Sequence, residues 1–250
     1  MMKDIKYDTN AIIEIKDLKK SFGTNVVLND FTLNVKEGDN VVVIGKSGSG
    51  KSVLIKCIIG LITPNSGTIK LFGEDVSKLS RQALDKVRAK VGFLFQSNAL
   101  YDSMTIRENL EFPLRRHWIQ NTKEKMKDLV IEALTNVGLT DTINMKPSEL
   151  SGGMRKRIAL ARTLILKPKI ILYDEPTSGL DPVTGKEIST LIVEIQKKYK
   201  TTSIIISHDL SCAKITANKI VILMNGKCYA SGTFEELKMV NDIKVKQFFD

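Results

Sequence analysis

The sequence predicts an α/β protein in which a parallel sheet carries an inserted helical lobe. Apolar runs of strand length alternate with helical stretches in the first and last thirds of the chain, a pattern typical of right-handed strand–helix–strand units. The run NVVVIG at 40–45 is apolar almost throughout, as expected of a strand that is buried on both faces. Residues 105–165 instead show helical periodicity, which predicts the lobe.

The individual elements follow from the same patterns. Proline removes a helix donor and glycine is a poor helix former, so breaks in the helical region are expected at Pro113, Gly138 and Pro147. The lobe is placed at 97–165, inserted between 1–96 and 166–250 of a single domain. Strands are predicted at 11–16, 26–35, 40–45, 68–73, 91–96, 169–175, 201–208 and 219–226, and helices at 51–60, within 105–165 and at 183–199.

Composition indicates a soluble globular protein. Hydrophobic residues make up 42% and charged residues 26% of the 250 residues. No apolar run approaches the roughly 20 residues that span a bilayer. The first ten residues, MMKDIKYDTN, lack the apolar core of a signal peptide. We therefore expect the chain in the cytoplasm, with any membrane role exercised through a partner.

The net charge of +10 comes from 38 Lys and Arg against 28 Asp and Glu. Such a charge fits nucleic acid, an anionic lipid surface or nucleotide phosphates. The basic residues are scattered among acids, so we interpret them as solvated helix faces and expect no nucleic acid. Two histidines are too few for a His-rich metal site, and Cys57, Cys212 and Cys228 lack metal-like spacing, which indicates reduced and largely buried thiols.

The octapeptide GKSGSGKS joins the buried strand at 40–45 to the following helix. It fits the pattern G-x-x-x-x-G-K-[ST], in which glycines let backbone amides turn inward around phosphates. The lysine adds positive charge to the same oxygens, and the final serine hydroxyl can ligate Mg²⁺. A nucleotide-binding site is therefore predicted at Gly45, Lys46, Ser47, Gly48, Ser49, Gly50, Lys51 and Ser52.

The second half of such a site is expected at the end of a neighbouring buried strand. The stretch KIILYDEP supplies two acids there, Asp174 and Glu175. Asp174 fits the residue that holds Mg²⁺, usually through water, and Glu175 is placed to polarise an attacking water as a general base.

A further anion site is predicted where ELSGGMRKRIAL begins a basic amphipathic helix. Met154, Ile158, Ala161 and Ile165 recur at spacings that place them on one helical face. Ser151 fits an N-cap, and the open amides and the dipole of a helix start both favour negative charge. Because residues 45–52 already cradle phosphates, this second site suggests a second copy of the chain.

In this order, the motifs resemble those of the ATP-binding cassette (ABC) ATPases over essentially the whole chain. The resemblance implies a P-loop NTPase core with a RecA-like mixed sheet, an antiparallel β subdomain and a helical signature subdomain at 97–165. It implies ATP and Mg²⁺ as ligands and a homodimer that closes around two ATP molecules. The family's signature sequence is matched by Leu150, Ser151, Gly152, Gly153 and Met154, which would face the nucleotide of the opposite subunit.

The resemblance also implies roles for single residues. Gln96 matches the glutamine that senses Mg²⁺ and the attacking water. Asp181, in SGLD, matches a loop that crosses the dimer interface, and His208 matches the switch histidine at the γ-phosphate. Phe22 falls where the family has an aromatic side chain, often tyrosine, that stacks on adenine. Core packing is the alternative for the Phe22 ring.

The segment FQSNALYDSMTIRENLEFPLRRH lies where ABC ATPases dock an integral membrane permease, near 97–118. With ELSGGM and ILYDEPTSGLDP, it is similar to the ATPases of the bacterial lipid-asymmetry (Mla) and Mce-associated systems. That similarity implies phospholipid or other hydrophobic cargo, the cytoplasmic face of the inner membrane, and an Mce-type substrate-binding protein as a further partner. The candidates for permease contacts are Leu100, Tyr101, Met104, Ile106 and Phe112. Core of the helical lobe is the alternative for all five, and it is the preferred interpretation for Ile106 and Phe112.

Three other classes share the catalytic motifs. An importer ATPase for amino acids or metal chelates differs mainly in the docking segment. A regulatory ABC ATPase of the cell-division type signals through a membrane partner and transports nothing. DNA-repair and ribosome-associated members usually carry two cassettes or a long coiled-coil insertion, which this sequence lacks. Residues 244–250 leave little for the C-terminal arm with which some relatives clasp a neighbour, so a partner that depends on such an arm is not expected.

Overall fold

The computed structural model describes residues 11–116 and 123–249 and has the α/β architecture that the sequence predicts. Its strands are β1 (Ala11–Phe22), β2 (Asn25–Lys36), β3 (Asn40–Ile44), β4 (Ser66–Leu71), β5 (Glu74–Asp75), β6 (Val91–Leu94), β7 (Ile170–Asp174), β8 (Thr202–Ser207), β9 (Lys219–Met224) and β10 (Lys227–Gly232). Its helices are α1 (Lys51–Ile58), α2 (Arg81–Arg88), α3 (Ile106–Arg116), α4 (Lys123–Asn136), α5 (Gly152–Leu164), α6 (Pro182–Tyr199), α7 (Leu210–Thr216), α8 (Phe234–Met239) and α9 (Ile243–Lys246).

The larger sheet of the described chain has six strands in the order β10-β9-β3-β8-β7-β6. Neighbouring strands are parallel except β10 and β9, which form an antiparallel pair. Within it, Ile44 pairs with Ser207 and Asp174 pairs with Ile206. The carboxyl ends of β3, β7 and β8 therefore meet at one edge of the sheet, where ligand sites of parallel α/β sheets form.

The two faces of this sheet belong to two different hydrophobic clusters. Val42 and Ile44 point into the cluster that the helical lobe shares, whereas Val41 and Val43 point into the cluster under the smaller sheet. Successive side chains of a strand alternate between faces. Because both faces are covered, β3 is apolar at every position after Asn40, which explains the run NVVVI.

The smaller sheet has the order β2-β1-β4-β5 and is antiparallel. β1 runs to Phe22, six residues beyond the predicted end. Asp17 has a φ of +49°, and the pairing register with β2 shifts between Ile15 and Leu18. This bulge interrupts the alternation on which the prediction rested, while the strand itself continues.

The helix break predicted at Pro113 is wrong, because α3 runs through this residue. Ile106, Leu110 and Leu114 are spaced by four residues, share one face and are at most 1% exposed. Proline removes one backbone donor from the helix. The packing of these side chains on both sides of Pro113 offsets that loss, so the helix continues.

The other two predicted interruptions are confirmed. α4 ends before Gly138, whose φ is +69°, and Pro147 opens a short 3₁₀ turn. α2 was not predicted, since Val87 is the only residue of this helix that is buried; α7, α8, α9 and β10 were not predicted either. Among the described residues, no helix combines the length and the apolarity that crossing a bilayer requires.

Candidate functional site

The glycine-rich loop lies between β3 and α1. Gly50 has a φ of +99°, and a Cβ there would lie 2.7 Å from Cγ1 of Val27. A Cβ on Gly45 would lie 2.8 Å from the backbone carbonyl oxygen of Leu223. Both positions therefore require glycine. Gly50 precedes α1 without a side-chain cap, so the first amides of this helix are open to an anion.

Lys51 points back into the loop that it follows. Its Nζ donates to the carbonyl oxygens of Gly45, at 2.8 Å, and Lys46, at 3.2 Å. It also lies 3.7 Å from Oε1 of Glu175, and both side chains are at least 90% buried. A buried ammonium held at the mouth of an amide-lined loop is suited to phosphate oxygens.

Ser52 and Asp174 form an oxygen pair beside the loop. The Ser52 Oγ donates to Oδ1 of Asp174 at 3.0 Å, across 122 residues of sequence. Mg²⁺ prefers oxygen ligands and is commonly held by one or two protein groups together with substrate phosphates. The described residues contain no group of three or more His, Cys, Asp and Glu that would form a metal cage. Because Ser52 and Asp174 place two oxygen atoms beside the phosphate-binding loop, the pair fits a magnesium ion that is shared with a nucleotide.

Glu175 follows β7 directly and has a φ of +51°, an uncommon backbone conformation for a residue with a side chain. Its amide donates to the Ile206 carbonyl at 2.9 Å, which anchors it to β8. Its Oε2 accepts from the His208 amide, at 3.3 Å, and lies 2.8 Å from the His208 Nδ1. The His208 ring itself is largely exposed, so it can meet a ligand in front of the carboxylate.

Phe22 and Gln96 complete a cleft of about 450 Å³ around the loop. The Phe22 ring is 50% exposed, so the core-packing alternative for this residue is wrong. Gln96 is exposed, and its Nε2 lies 3.4 Å from the Ser178 Oγ. The structure thus brings the following predicted residues to one cleft: Phe22, Ser47, Gly48, Gly50, Lys51, Ser52, Gln96, Glu175 and His208.

The signature residues line a separate cavity, of about 590 Å³. The Ser151 Oγ accepts from the Met154 amide at 3.2 Å, which confirms the predicted N-cap of α5. Gly153 packs so closely on α6 that an added Cβ would lie 2.7 Å from Cγ2 of Thr184. Leu150 is buried, whereas Ser151, Gly152, Gly153 and Met154 line the cavity and not the first cleft.

Asp181 lines this second cavity and caps α6 of its own chain. Its Oδ1 accepts from the amides of Val183 and Thr184, both at 3.0 Å. Hydrogen bonds, that from the Thr184 hydroxyl first among them, lower the pKa of the Asp181 carboxyl. The carboxylate is thus fixed at the start of α6, away from Lys51 and Glu175.

The structure divides the predicted permease contacts. Ile106 is fully buried, so its docking role is wrong and its core alternative is correct. Tyr101 is 42% exposed and packs on the half-buried ring of Phe112, with centroids 4.9 Å apart. Leu100 and Met104 are half-buried, and residues 117–118 of the segment lie outside the described residues.

Sequence reasoning missed Lys156, which it treated as part of a basic helix face. This side chain is 2% exposed, and burial lowers the pKa of its ammonium, while the charge of Asp174 acts in the opposite direction. A detectable signal existed, because Lys156 is spaced three and four residues from Ala159 and Leu160, on the buried face of α5.

Comparisons with known proteins identify the family of the chain. A family model described as ABC transporter matches residues 28–178. The probable ribonucleotide transport ATP-binding protein mkl of Mycobacterium leprae is 40% identical over 99% of the chain and 71% of its own length. The intermembrane phospholipid transport system ATP-binding protein MlaF of Haemophilus influenzae is 38% identical over 95% of the chain and 89% of its own length. The methionine import ATP-binding protein MetN of Campylobacter jejuni is 37% identical over 95% of the chain and 75% of its own length.

The chain spans 66% of the length of the mkl protein of Mycobacterium tuberculosis. Among solved structures, the dimeric bacterial ABC transporter cassette MJ0796 matches with a TM-score of 0.82 and 32% identity, over 88% of this chain and 98% of that one. The same cassette in a dimeric post-hydrolysis state bound to ADP and Pi matches with a TM-score of 0.80. The chain therefore belongs to the ABC transporter family, as an ATP-binding cassette that hydrolyses ATP with Mg²⁺.

Proposed function

We propose that this ATPase powers a bacterial membrane transporter, that two copies close around two ATP molecules, and that the cargo is phospholipid or another hydrophobic molecule. The observation that carries the dimer is the separation of two anion sites within one chain. The first cleft holds Lys51, Ser52 and Glu175, whereas the second cavity presents the start of α5 at Ser151. ATP that occupies the first cleft leaves the second free for the ATP of another copy.

The residues of the first cleft have complementary roles in this proposal. Phe22 stacks on adenine, and the amides of residues 45–52 with the Lys51 ammonium hold the phosphates. Ser52 and Gln96, with Asp174 acting through water, would hold Mg²⁺, which would supply positive charge to the phosphate oxygens. The side chains of Phe22, Lys51, Ser52 and Gln96 all line the cleft, and Asp174 contacts it through Ser52.

Glu175 acts as the general base in the hydrolytic step. The water oxygen bonds to the γ-phosphorus while the bond to the β-phosphate oxygen breaks, and the water proton passes to a Glu175 oxygen. ADP and phosphate leave. His208 lies against the same carboxylate and reaches the γ-phosphate, because its ring is exposed beyond Glu175.

Hydrolysis changes the contacts between the two copies. In the closed dimer, the γ-phosphate receives amides from the partner's α5 start as well as from its own loop, and Asp181 lies at the interface. Once the bond is broken, the group that bridges the copies is released. A ligand that contacts two states differently shifts their populations, which is what a motor requires. The dimeric MJ0796 cassettes support this arrangement by similarity.

The lipid cargo rests on the docking segment and on one relative. Residues 97–118 resemble those of the Mla and Mce-associated ATPases, and the Haemophilus influenzae relative is a phospholipid transport protein by name. We place the chain at the cytoplasmic face of the inner membrane, with an integral permease on this segment and an Mce-type substrate-binding protein beyond it. The exposed Tyr101 is positioned to contact that permease.

A small-solute importer is the second candidate. The Campylobacter jejuni relative, whose name describes a methionine import protein, is 37% identical to the chain. The catalytic motifs would be the same in both classes. The two functions differ in the cargo and in the membrane partner.

Purification of the chain from gently solubilised host membranes tests the cargo. Proteins and lipids that co-purify with the tagged protein are identified by mass spectrometry, with Tyr101→Ala and Tyr229→Ala as matched baits, since both tyrosines are about equally exposed. We expect a multispan permease, an Mce-like protein and enriched phospholipid, retained by Tyr229→Ala and reduced at least threefold by Tyr101→Ala. A solute-binding protein as partner, or a permease without enriched lipid, would reject lipid transport.

A further inference from the structure

Lys156 is a buried charge without an assigned task. Within residues 11–116 and 123–249, the charged side chains that are buried are Lys51, Lys156, Asp174 and Glu175. Lys51 and Glu175 line the first cleft, and Asp174 contacts it through Ser52. A buried ammonium is costly unless it is hydrogen-bonded, so the fourth calls for an equally specific partner.

That partner is the backbone of Gln96, the first residue of the loop at 96–99. The Lys156 Nζ donates to the backbone carbonyl of Gln96 at 3.0 Å, although 60 residues separate the two in sequence. The Gln96 side chain lines the ATP cleft. Lys156 therefore holds the backbone of Gln96, while the side-chain amide of Gln96 faces the site. Lys156 itself does not line the cleft.

A second cation on the same helix holds the next residues of this loop. Arg162 donates to the carbonyls of Asn98, at 2.9 Å, and Ala99, at 2.8 Å. Both residues have positive φ values, of +65° and +52°, so the loop turns its carbonyls toward α5 in a conformation that is rare for residues with side chains. Helix α5 thus holds three carbonyls of residues 96–99 through two charged side chains.

We infer that Lys156 is a positioning residue for ATP hydrolysis, which fixes the backbone of Gln96 so that the glutamine amide reaches the nucleotide site. The inference rests on the role proposed above for Gln96. It also gives the signature helix a second task, because α5 presents Ser151 at its start and holds Gln96 from its second turn. Misplacement of a catalytic group by about 1 Å can cost on the order of 100-fold in rate.

Steady-state ATPase kinetics of the full chain test this inference. Lys156→Met keeps the length of the apolar stem and removes the donor. Lys197→Met, at an exposed position of α6, is the matched control. We expect Lys156→Met to lower kcat at least tenfold, with KM and the affinity for ATP changed less than threefold, and Lys156→Arg to recover at least a third of the lost rate. Equal kcat in Lys156→Met and the control would overturn the inference.

A double-variant comparison separates this inference from the role of Gln96. If Lys156 acts through Gln96, adding Lys156→Met to Gln96→Ala slows hydrolysis less than twofold further. Fully multiplicative losses would overturn the inference and leave the role of Gln96 standing. Unchanged kcat in Gln96→Ala would instead reject the role of Gln96. Should Lys156→Met fold poorly, Lys156→Leu replaces it, because leucine also lacks a donor and the same loss of kcat is expected.

Discussion

The imidazole of His208 lies against the carboxylate of Glu175, with Nδ1 2.8 Å from Oε2. An ionised carboxylate only accepts hydrogen bonds, so the proton resides on Nδ1. The rest of the ring is largely exposed and is open to a ligand in front of the carboxylate. The contact thus places the proposed base against a side chain that is open to a bound nucleotide.

We predict that Glu175→Gln retains ATP binding and accumulates as an ATP-bound dimer. The amide keeps the shape of the side chain but cannot take a proton, and general-base catalysis contributes roughly 10²–10⁴-fold. The ATPase rate should fall at least 100-fold. Size-exclusion chromatography with light scattering measures the dimer, with Glu194→Gln on the exposed face of α6 as the control. A Glu175→Gln protein that stays monomeric with ATP would reject the proposed sandwich.

Lys51→Ala should lose ATP binding. The ammonium is held in the loop by the Gly45 and Lys46 carbonyls, and no other cation in the described part of the cleft occupies that place. We expect the dissociation constant for ATP, measured by calorimetric titration, to rise more than tenfold. Lys56→Ala, on the same helix, should bind normally. Equal affinities in the two variants would remove Lys51 from the site.

Ser151→Arg should spare ATP binding and prevent dimer formation. Ser151 lines the second cavity and not the first cleft, so a bulky cation there blocks a partner's approach while Lys51 is untouched. Loss of the N-cap costs about 1 kcal/mol, which the fold tolerates. The change is introduced into Glu175→Gln, and dimer mass is measured with ATP. Ser231→Arg on β10 is the control; dimers in both proteins would contradict the assignment of the second cavity.

Phe22→Ala should weaken binding of ATP but not of tripolyphosphate. The ring is half exposed at the end of β1, where it lines the cleft. Aromatic stacking contributes about 0.5–1.5 kcal/mol, so ATP affinity should fall roughly twofold to twelvefold. Phe22→Tyr keeps the stacking face and should bind like the parent. An equal loss for both ligands would show that Phe22 supports the loop and not adenine.

The cysteines should link stability to alkaline pH. Burial raises the pKa of the Cys57 thiol from its ordinary value of 9.0 to about 11 and also raises the pKa of Cys212 and of Cys228. Above pH 9 the unfolded chain releases these protons before the folded one, so the free energy of unfolding falls between pH 9 and about 11. Urea unfolding at pH 8 and pH 10 measures this fall, which Cys57→Ala should reduce. An equal fall in the free energy of unfolding between pH 8 and pH 10, with and without Cys57, would contradict the prediction.

The strands of the large sheet other than β10 could be predicted because their apolar runs are continuous, whereas β10 alternates between exposed and half-buried residues. β3, β7 and β8 are buried on both faces, and nothing except apolar length is needed to recognise such strands. The loop at 45–52 could also be predicted, because the steric requirement for glycine appears in the sequence as a fixed spacing of glycines.

Other features depend on contacts that no local pattern contains. The bulge at Asp17 hid the length of β1, and packing of Leu110 and Leu114 carried α3 through Pro113. Lys156 was read as solvated because charge dominates a sequence pattern, whereas its partner is a backbone carbonyl 60 residues away. Backbone carbonyls are the same at every position, so the sequence does not mark them.

The division of β3 between two cores constrains how the gene for this protein can vary. A substitution at Val42 affects only the core that the helical lobe shares, and a substitution at Val43 affects only the core under the smaller sheet. Insertion or deletion of one codon would exchange the two sets of side chains and also move Gly45 off the edge that Ile44 shares with Ser207. Changes in length should therefore be tolerated in surface connections, such as residues 62–65, but eliminated within β3.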